Sequence, residues 1–343
     1  MRPSPATPRF AATPQFVAVA LLALSSIAAP AQAQEYYRGK TISMFAGRPP
    51  GGGVDTEMRL IAHHLALHIP GKPIIVPKNM PGAGGVALGN HLFGVATPDG
   101  LTLGVPGRTA FLLAPVTGNP NARYDLQKLT WIGSAASSNF ILWLRKEAGV
   151  TTFEQLRNHK QLLVIGGSSG GNSDTVVPEL LLKYENLPFK VVRGYPGTGE
   201  QQLALARGEI DGMFTERASF RADPVASGLA VPILQTFATE PGIPTLDEIA
   251  RHPMEKALFK LFEVPLRVGL AVVAPPDLRT DITATLRSSY LRAVASNDYL
   301  AEATKRGFDA GRPNPGQEIA DYISKNLSNI PPDVIAEFRS YNQ

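Results

Sequence analysis

The chain has 343 residues, with 33 lysines and arginines, 29 aspartates and glutamates, and no cysteine. Its formal charge of +4 does not suit a nucleic-acid-binding protein, which needs a clustered basic face. The lack of cysteine excludes thiolate metal sites, cysteine nucleophiles and disulfides, and suits an exported protein. A chain of this length suggests two domains.

The first 33 residues have the pattern of a secretory signal peptide. Arg2 and Arg9 precede an apolar run, Phe16–Leu24, and small residues follow at positions 31–33. This order is typical of an exported precursor, and the run is shorter than the roughly 20 residues that cross a bilayer. We predict cleavage after Ala33 and a periplasmic mature protein, with an uncleaved anchor as the alternative. Removing two arginines from the 33 basic residues leaves 31 against 29 acidic ones.

Strand-like apolar runs alternate with helical patterns along the rest of the chain, which implies parallel sheets with crossover connections. The first helix is expected at about Thr56–Ile69, with one apolar face packed on a sheet. This face comprises Met58, Ile61, Leu65 and Ile69. Strands are predicted at Thr41–Ala46, Ile74–Val76, Leu101–Val105, Leu162–Ile165, Phe189–Val192, Ile210–Phe214, Val231–Thr236 and Val268–Val273. Further helices are predicted near Gly85–Val95, Val177–Tyr184, Glu200–Arg207 and Asp281–Ala295, with another that ends at Gly307.

A glycine-rich junction between a strand and a helix occurs twice. Gly51–Thr56 matches Gly170–Thr175, an offset of 119 residues. Such a turn exposes backbone N–H groups at the positive end of a helix dipole and therefore attracts an anion. Ligands of open α/β sheets bind beyond the carboxyl ends of the strands, so two opposed lobes would aim both turns into one cleft. The alternative is that these glycines only permit tight turns. Asp55 and Asp174 are expected to act as structural helix caps and not as general bases.

Gly166–Gly170 also fits the G-x-S-x-G pattern of a nucleophile elbow, with Ser168 as the nucleophile. A triad would then need His252, the one histidine downstream, which lies in a charged stretch expected to be a solvated loop. The matching turn at Gly51 has prolines where the serines would be. A serine hydrolase therefore stays as a minor alternative.

Two further motifs are interpreted as structural. Gly82–Ala87 fits a loose dinucleotide-binding pattern, but it begins five residues after its strand and favours close helix packing instead. His64 and His68 have a spacing that could hold a metal, but no glutamate stands in the H-E-x-x-H position. We therefore expect these two and His63 to form an exposed polar face, and we predict no metal and no cofactor.

Six motifs follow one another in a fixed order: Tyr36–Ile42, Pro50–Asp55, Asn79–Gly85, Pro98–Leu103, Gly208–Asp211 and Ile243–Glu248. In this order they resemble the Bug-type receptors of tripartite tricarboxylate transporters. The resemblance implies a Venus-flytrap fold in which opposed loops, Pro50–Val54 and Gly170–Ser173, hold a carboxylate through backbone amides, small hydroxyls and ordered water. It also implies delivery of the ligand to a membrane permease made of one large and one small subunit.

The chain departs from the family pattern around Tyr195. Where the family commonly has Val-Pro-Tyr-Lys-Gly, residues 193–197 are Arg-Gly-Tyr-Pro-Gly, so the usual lysine is absent. Arg48 and Arg108 each follow a predicted strand and are expected to add cationic contacts. Glu216 is unexpected in an anion-binding cleft. It is either a salt-bridge partner for one of these arginines or a contact for a ligand cation such as an ammonium.

We therefore predict an α/β, two-lobed periplasmic binding protein with a parallel-rich sheet in each lobe and chain crossings between the lobes. Lobe 1 should comprise residues 34–137 and 240–343, and lobe 2 residues 138–239. The predicted function is that of a monomeric solute-binding receptor, not an enzyme, that captures a small organic carboxylate for a permease. A soluble carboxylate sensor is the first alternative. The predicted substrate-binding residues are Arg48, Pro50, Gly51, Gly52, Gly53, Val54, Arg108, Gly167, Ser168, Ser169, Gly170, Gly171, Asn172, Ser173, Tyr195 and Glu216.

Overall fold

The computed structural model of the protein describes residues 36–168, 172–220 and 222–341. The predicted signal peptide, residues 1–33, lies outside these ranges. The strands are β1 Thr41–Ala46, β2 Ile74–Asn79, β3 Thr102–Val105, β4 Thr130–Ser134, β5 Phe140–Arg145, β6 Leu163–Gly166, β7 Phe189–Val192, β8 Gly212–Glu216, β9 Ala230–Gln235, β10 Ala271–Ala274 and β11 Asn314–Pro315. The α-helices are α1 Gly53–His68, α2 Val86–Gly94, α3 Thr109–Val116, α4 Phe153–Arg157, α5 Ser173–Glu185, α6 Thr198–Arg207, α7 Leu246–Ile249, α8 Pro253–Val268, α9 Thr280–Val294, α10 Asn297–Lys305, α11 Gly316–Leu327 and α12 Pro332–Ser340.

The first sheet has the strand order β11-β4-β10-β3-β1-β2. Strand β1 runs parallel to β2 and β3, whereas β10 runs antiparallel to β3 and β4. Alternate residues of β1, namely Ile42, Met44 and Ala46, are fully buried, as expected for a strand with one face on the core. The predicted apolar face of α1 is confirmed, since its four residues are at most 1% exposed.

The second sheet has the order β7-β6-β8-β5-β9 and repeats this plan. Strand β6 runs parallel to β7 and β8, and β5 runs antiparallel to β8 and β9. Each sheet therefore combines three adjacent parallel strands, which the alternating pattern predicted, with antiparallel strands beside them. In both sheets the central parallel strand, β1 or β6, leads directly into one of the two glycine turns.

The chain crosses between the sheets twice. It leaves the first sheet after Ser134 and enters the second at Phe140, then returns between Gln235 and Ala271 through α7 and α8. Helix α8 packs against α3 on one side and α5 on the other, so it bridges the two halves of the molecule. We call the two halves lobe 1 and lobe 2, after their sheets. The residue limits given for the lobes above stay a prediction.

The structure corrects two predictions. The strand expected at Val268–Val273 starts at Ala271, because the preceding residues belong to α8, a helix that the sequence analysis missed. The polar face expected on α1 is wrong for His64, which is 4% exposed and places its Nε2 atom 3.0 Å from Glu302 Oε2. Helices α9 and α10 cover this side of α1, which explains the burial. Within the described ranges, no helix has the length and apolar content that a membrane crossing requires.

Candidate ligand-binding site

A cleft of about 860 Å³ lies between the two lobes. Two connections reach it: loop 1, residues 47–52, joins β1 to α1, and loop 2, residues 167–172, joins β6 to α5. Both helices thus begin at the cleft, where their first N–H groups have no partner within the helix. The lining residues that the sequence predicted are Arg48, Pro50, Gly52, Gly53, Val54, Arg108, Ser168, Asn172, Ser173, Tyr195 and Glu216.

Asp55 fixes the shape of loop 1. Its carboxylate accepts hydrogen bonds from the Gly51 N–H at 2.9 Å, the Asn79 amide at 2.7 Å and Arg59 Nε at 3.0 Å. The bond from Arg59, helped by those from Gly51 and Asn79, lowers the pKa of Asp55 to about 2 although burial opposes the shift. Gly51 itself has a φ of +83°, a conformation that favours glycine.

The next two glycines, Gly52 and Gly53, are not required by the fold. Gly52 has an ordinary φ of −78°. A Cβ atom on Gly52 would meet only the Pro49 oxygen, at 3.8 Å, and one on Gly53 would meet no described atom within 4 Å. By contrast, a Cβ on Gly47 would lie 2.3 Å from the Pro106 oxygen. The missing side chains at Gly52 and Gly53 therefore leave the first amides of α1 open to the cleft.

Asp174 holds loop 2 in a similar way. It accepts hydrogen bonds from the Ser168 N–H at 3.0 Å, the Ser168 hydroxyl at 2.8 Å and the Gln201 amide at 2.8 Å. The Asn172 amide donates in turn to Ser168 Oγ at 2.9 Å. The remaining predicted residues of this loop, Ser169, Gly170 and Gly171, lie outside the described part of the chain.

The two aspartates do not occupy the cap positions that the sequence analysis gave them. The N-cap residues are Gly52 and Asn172, whereas Asp55 and Asp174 lie inside the first helical turn. From there each carboxylate reaches back to an N–H of its loop. This binding uses the amides of Gly51 and Ser168, which are therefore not available to a ligand. In loop 1 it leaves the amides of Gly52 and Gly53.

Two of the predicted binding residues, Gly51 and Gly167, shape the loops and do not contact the cleft, whose described lining includes neither of them. A Cβ on Gly167 would lie 2.7 Å from Thr175 Oγ1, and the Gly167 carbonyl accepts a hydrogen bond from the Tyr195 N–H at 3.3 Å. Gly167 thus holds the turn that carries Tyr195 against loop 2. The neighbouring Arg193 forms an ion pair with Glu179 at 2.6 Å.

Charged side chains enter the cleft from both lobes. Arg108, the N-cap residue of α3, forms an ion pair with Glu216 at the end of β8, with a distance of 2.7 Å between Nη1 and Oε1. Arg108 also donates a hydrogen bond to Ser138 Oγ. Of the two interpretations of Glu216, the salt bridge is the one observed. Arg48 is exposed, and its guanidinium has no ion pair or hydrogen bond within the described residues.

Several lining residues were missed by the sequence analysis. Phe140 begins β5, and because β5 runs antiparallel to β8, it lies opposite Glu216 at the cleft edge of the sheet. A rule based on the ends of parallel strands cannot find the start of an antiparallel one. Thr215 lies at the carboxyl end of β8, so the rule that ligands bind beyond strand ends could have identified it. Other missed lining residues are Pro49, Thr109, Gly194, Pro196, Gly197, Thr198, Ser219, Leu266 and Leu270.

The geometry does not assemble the alternative triad. The Ser168 hydroxyl lies against Asp174 in the first turn of α5, whereas His252 packs on Tyr184 in the last turn, with ring centroids 5.9 Å apart. At 1.5 Å per residue the two turns are about 15 Å apart along the helix. His252 is exposed, as expected of a solvated loop, and is the N-cap residue of α8. Among the described residues, no group of three or more histidine or acidic side chains could hold a metal ion.

No protein-family model matches the chain. The UPF0065 protein in the tcbD-tcbE intergenic region of Pseudomonas sp. (strain P51) is 25% identical over 326 residues, which cover 93% of this chain and 92% of that protein. Protein BugT of Bordetella pertussis is 33% identical over 116 residues, or 33% of this chain and 34% of BugT.

Solved structures share the fold. A TctC solute-binding protein from Polaromonas has a TM-score of 0.68 at 15% identity, covering 88% of this chain and 99% of its own. The periplasmic binding protein BugD gives 0.57 at 15%, covering 89% and 98%. MatC from Rhodopseudomonas palustris, with bound malate, gives 0.56 at 22%, covering 86% and 99%. The predicted two-lobed fold of a periplasmic binding protein is thereby confirmed. In motifs and in fold, the chain is similar to the Bug-type and TctC solute-binding proteins of tripartite tricarboxylate transporters, as its sequence predicted.

Proposed function

We propose that the protein is a periplasmic receptor that captures a small organic carboxylate in the cleft between its lobes. One carboxylate oxygen would accept hydrogen bonds from the first amides of α1, and the other would contact loop 2. A helix start is a ready site for an anion, because its N–H groups lack partners and the helix dipole is positive there. In this arrangement the ligand bridges the lobes and favours a closed state, as in hinge closure around a ligand.

The observation that carries the proposal is the pair Gly52 and Gly53. Neither glycine relieves a backbone strain or a steric clash with a described atom, yet both lie at the start of α1 and line the cleft. Glycine costs conformational entropy on folding relative to alanine, so its presence twice in succession needs another reason. Close approach of a ligand to the backbone is such a reason. The exposed Arg48 beside this loop adds attraction for a negative charge.

The biological setting follows from the same proposal. The protein would act as an exported monomer that presents its ligand to the subunits of a membrane permease and performs no chemistry on it. MatC, which shares the fold, was solved with malate, and a dicarboxylate is one ligand class to be screened. A soluble sensor with the same cleft would bind ligand equally well, so deletion of the gene for this protein and measurement of carboxylate uptake distinguish the two roles.

The first experiment combines a carboxylate screen with one substitution. Purified mature protein is mixed with dicarboxylates, aromatic acids and amino acids, and its unfolding temperature is measured. Free ligand at 100 times its Kd stabilises the native state by about 2.7 kcal/mol, which gives a clear shift. The Gly52→Val variant should lose at least about 100-fold in affinity by calorimetry, because two methyl groups would cover the amides that bind the carboxylate.

Gly94→Val is the matched control. Gly94 is exposed in the last turn of α2 and lies outside the cleft lining, and a Cβ there would also meet no described atom within 4 Å. This variant should bind like the wild type, and the unliganded unfolding temperature of both variants separates lost binding from lost folding. A wild-type protein that no carboxylate stabilises, or a folded Gly52→Val variant with unchanged affinity, would overturn the proposal.

A further inference from the structure

The ion pair between Arg108 and Glu216 crosses the cleft. Arg108 follows β3 in lobe 1, and Glu216 ends β8 in lobe 2. Both side chains are largely shielded from water, at 28% and 16% exposure, and both line the cleft. Among the described residues of that lining, this is the one ion pair that joins the two lobes. A ligand that spans the cleft therefore meets a charged pair and not a single free cation.

The wall behind this pair carries excess negative charge. A smaller chamber of about 380 Å³ adjoins the cleft, and both Arg108 and Glu216 lie on its boundary. Glu57 and Asp309 also line the chamber, and their charges act on Arg108 together with that of Glu216. Three acidic side chains thus surround one guanidinium, although burial raises the pKa of Glu57 to about 7, so that this group carries only part of a negative charge at neutral pH. The cleft is also lined by Gly52 and Gly53 at the start of α1 and by Arg48, whose guanidinium is exposed, so a ligand meets both a positive and a negative region.

This charge distribution constrains the ligand. A plain carboxylate that took Arg108 from Glu216 would leave the shielded Glu216 carboxylate without its partner, and breaking such a pair is costly. A ligand with a carboxylate and a cationic group avoids this cost. Its carboxylate can bind at the loops while its cation binds Glu216, or the whole ligand can insert between Glu216 and Arg108. In each case every charge keeps an opposite partner.

We propose that Glu216, held by Arg108, selects carboxylates that also carry a cationic nitrogen, such as amino acids with a separated ammonium group. This selectivity rests on the function proposed above, since it requires that carboxylates bind in the cleft. Glu216 acts as the specificity-determining residue and Arg108 as its positioning partner. The loops supply affinity for the carboxylate, and the negative wall discriminates between amphoteric ligands and simple anions.

The test compares ligands that differ only in the ammonium group. Calorimetry measures the affinities of 4-aminobutyrate, 5-aminopentanoate and 6-aminohexanoate against butyrate, pentanoate and hexanoate, which covers a range of lengths. At least one amino carboxylate should bind the wild type about 10-fold or more tightly than its plain partner, as a hydrogen bond to a charged group implies. In Glu216→Gln the preference for that amino carboxylate should fall to near unity.

Glu209→Gln serves as the matched control. Glu209 belongs to the same lobe, its side chain is 56% exposed, and it does not line the cleft. This variant should keep the wild-type preference, and unliganded unfolding temperatures report whether Glu216→Gln is folded. The selectivity is overturned if no amino carboxylate binds the wild type better than its plain partner, or if folded Glu216→Gln keeps the preference. If carboxylates of every kind fail to bind the wild type, the proposed function fails as well, which distinguishes the two results.

Discussion

Loop 1 and loop 2 have equivalent positions in the two lobes but are held in place by different interactions. Each follows the central parallel strand of its sheet, and each is fixed by an aspartate in the first turn of the next helix. Their partners differ. Asp55 binds the cation Arg59, whereas Asp174 accepts hydrogen bonds from the uncharged donors of Ser168, Thr175 and Gln201. The aspartate of loop 1 is thus held by an ion pair, and the aspartate of loop 2 by hydrogen bonds from uncharged donors.

The surfaces that the loops offer differ as well. At its helix start loop 1 presents Gly52 and Gly53, which carry no side chains, while loop 2 presents Asn172 and Ser173. Two residues after Asp55, α1 carries Glu57, whereas the equivalent position on α5 is the fully buried Val176. The difference suggests a division of roles in which lobe 1 supplies bare amides and titratable charge, and lobe 2 supplies side-chain hydrogen bonds.

The largest expected effect concerns the two anchoring aspartates. Asp55→Asn should lower the free energy of unfolding at pH 7 by about 2 kcal/mol, the value that a pKa lowered from 3.8 to about 2 implies. Asp174→Asn should cost less, about 1 kcal/mol, the typical net value of a hydrogen bond, because the donors to Asp174 named above carry no charge. Urea denaturation measures both. Equal costs, or a larger cost at Asp174, would remove the distinction between a charged and a neutral anchor.

The pH dependence sharpens this comparison. A lowered carboxyl pKa contributes stability that is present above the unfolded pKa and is lost as the pH falls through the folded one. The contribution of Asp55 should therefore persist from neutral pH down to about pH 4 and disappear towards pH 2. In Asp55→Asn this decrease in the free energy of unfolding between pH 4 and pH 2 should be absent.

A pH effect of opposite sign is expected from Glu57, which has no acidic counterpart on α5. Burial, opposed by Arg108 and reinforced by Glu216, raises the pKa of Glu57 to about 7. The folded state then holds a proton that the unfolded state releases above pH 4.5, so stability falls as the pH rises from 4.5 to 7. The slope from this group is at most about 1.4 kcal/mol per pH unit. Glu57→Gln should flatten the stability profile over this range in urea denaturation, and an unchanged profile would contradict the assignment.

Much of this site could be predicted from the sequence, because the two loops at the helix starts are built from local patterns. The glycine turns, their 119-residue offset from Gly51 to Gly170 and the helices that follow are features of contiguous residues. The charged groups around the adjoining chamber could not be predicted in the same way. Arg108, Glu216, Glu57 and Asp309 come from four separate segments, and only their packing brings them around one chamber. The sequence analysis identified two of the four by their position after a strand and had no signal for the other two.

For the fold too, local patterns could be predicted, whereas contacts between distant segments could not. Parallel strands joined by helices follow an alternating pattern that can be recognised in sequence, and β1 and β7 have the bounds that were predicted. The antiparallel strands β4 and β5 and the bridging helix α8 were missed. The two strands are short and pair with segments distant in sequence, whereas α8 does carry a local signal, since Leu258, Leu261, Phe262 and Leu266 recur at helical spacing. Helix α8 contains β-branched residues and a proline, Pro265, and its burial between α3 and α5 overrides these weak local preferences.

The most direct test of the account is whether one ligand protects both loops at once. Amide hydrogen exchange is measured with and without the tightest-binding carboxylate of the screen, in peptides that cover residues 47–58 and 167–178, with peptides from α9 and α11 as internal controls. Unpaired amides at a helix start exchange readily unless a ligand occupies them. The account predicts slower exchange in both loop peptides and no change in the controls. Protection confined to one loop, or absent from both at saturating ligand, would contradict a cleft in which the two lobes hold a single carboxylate between them.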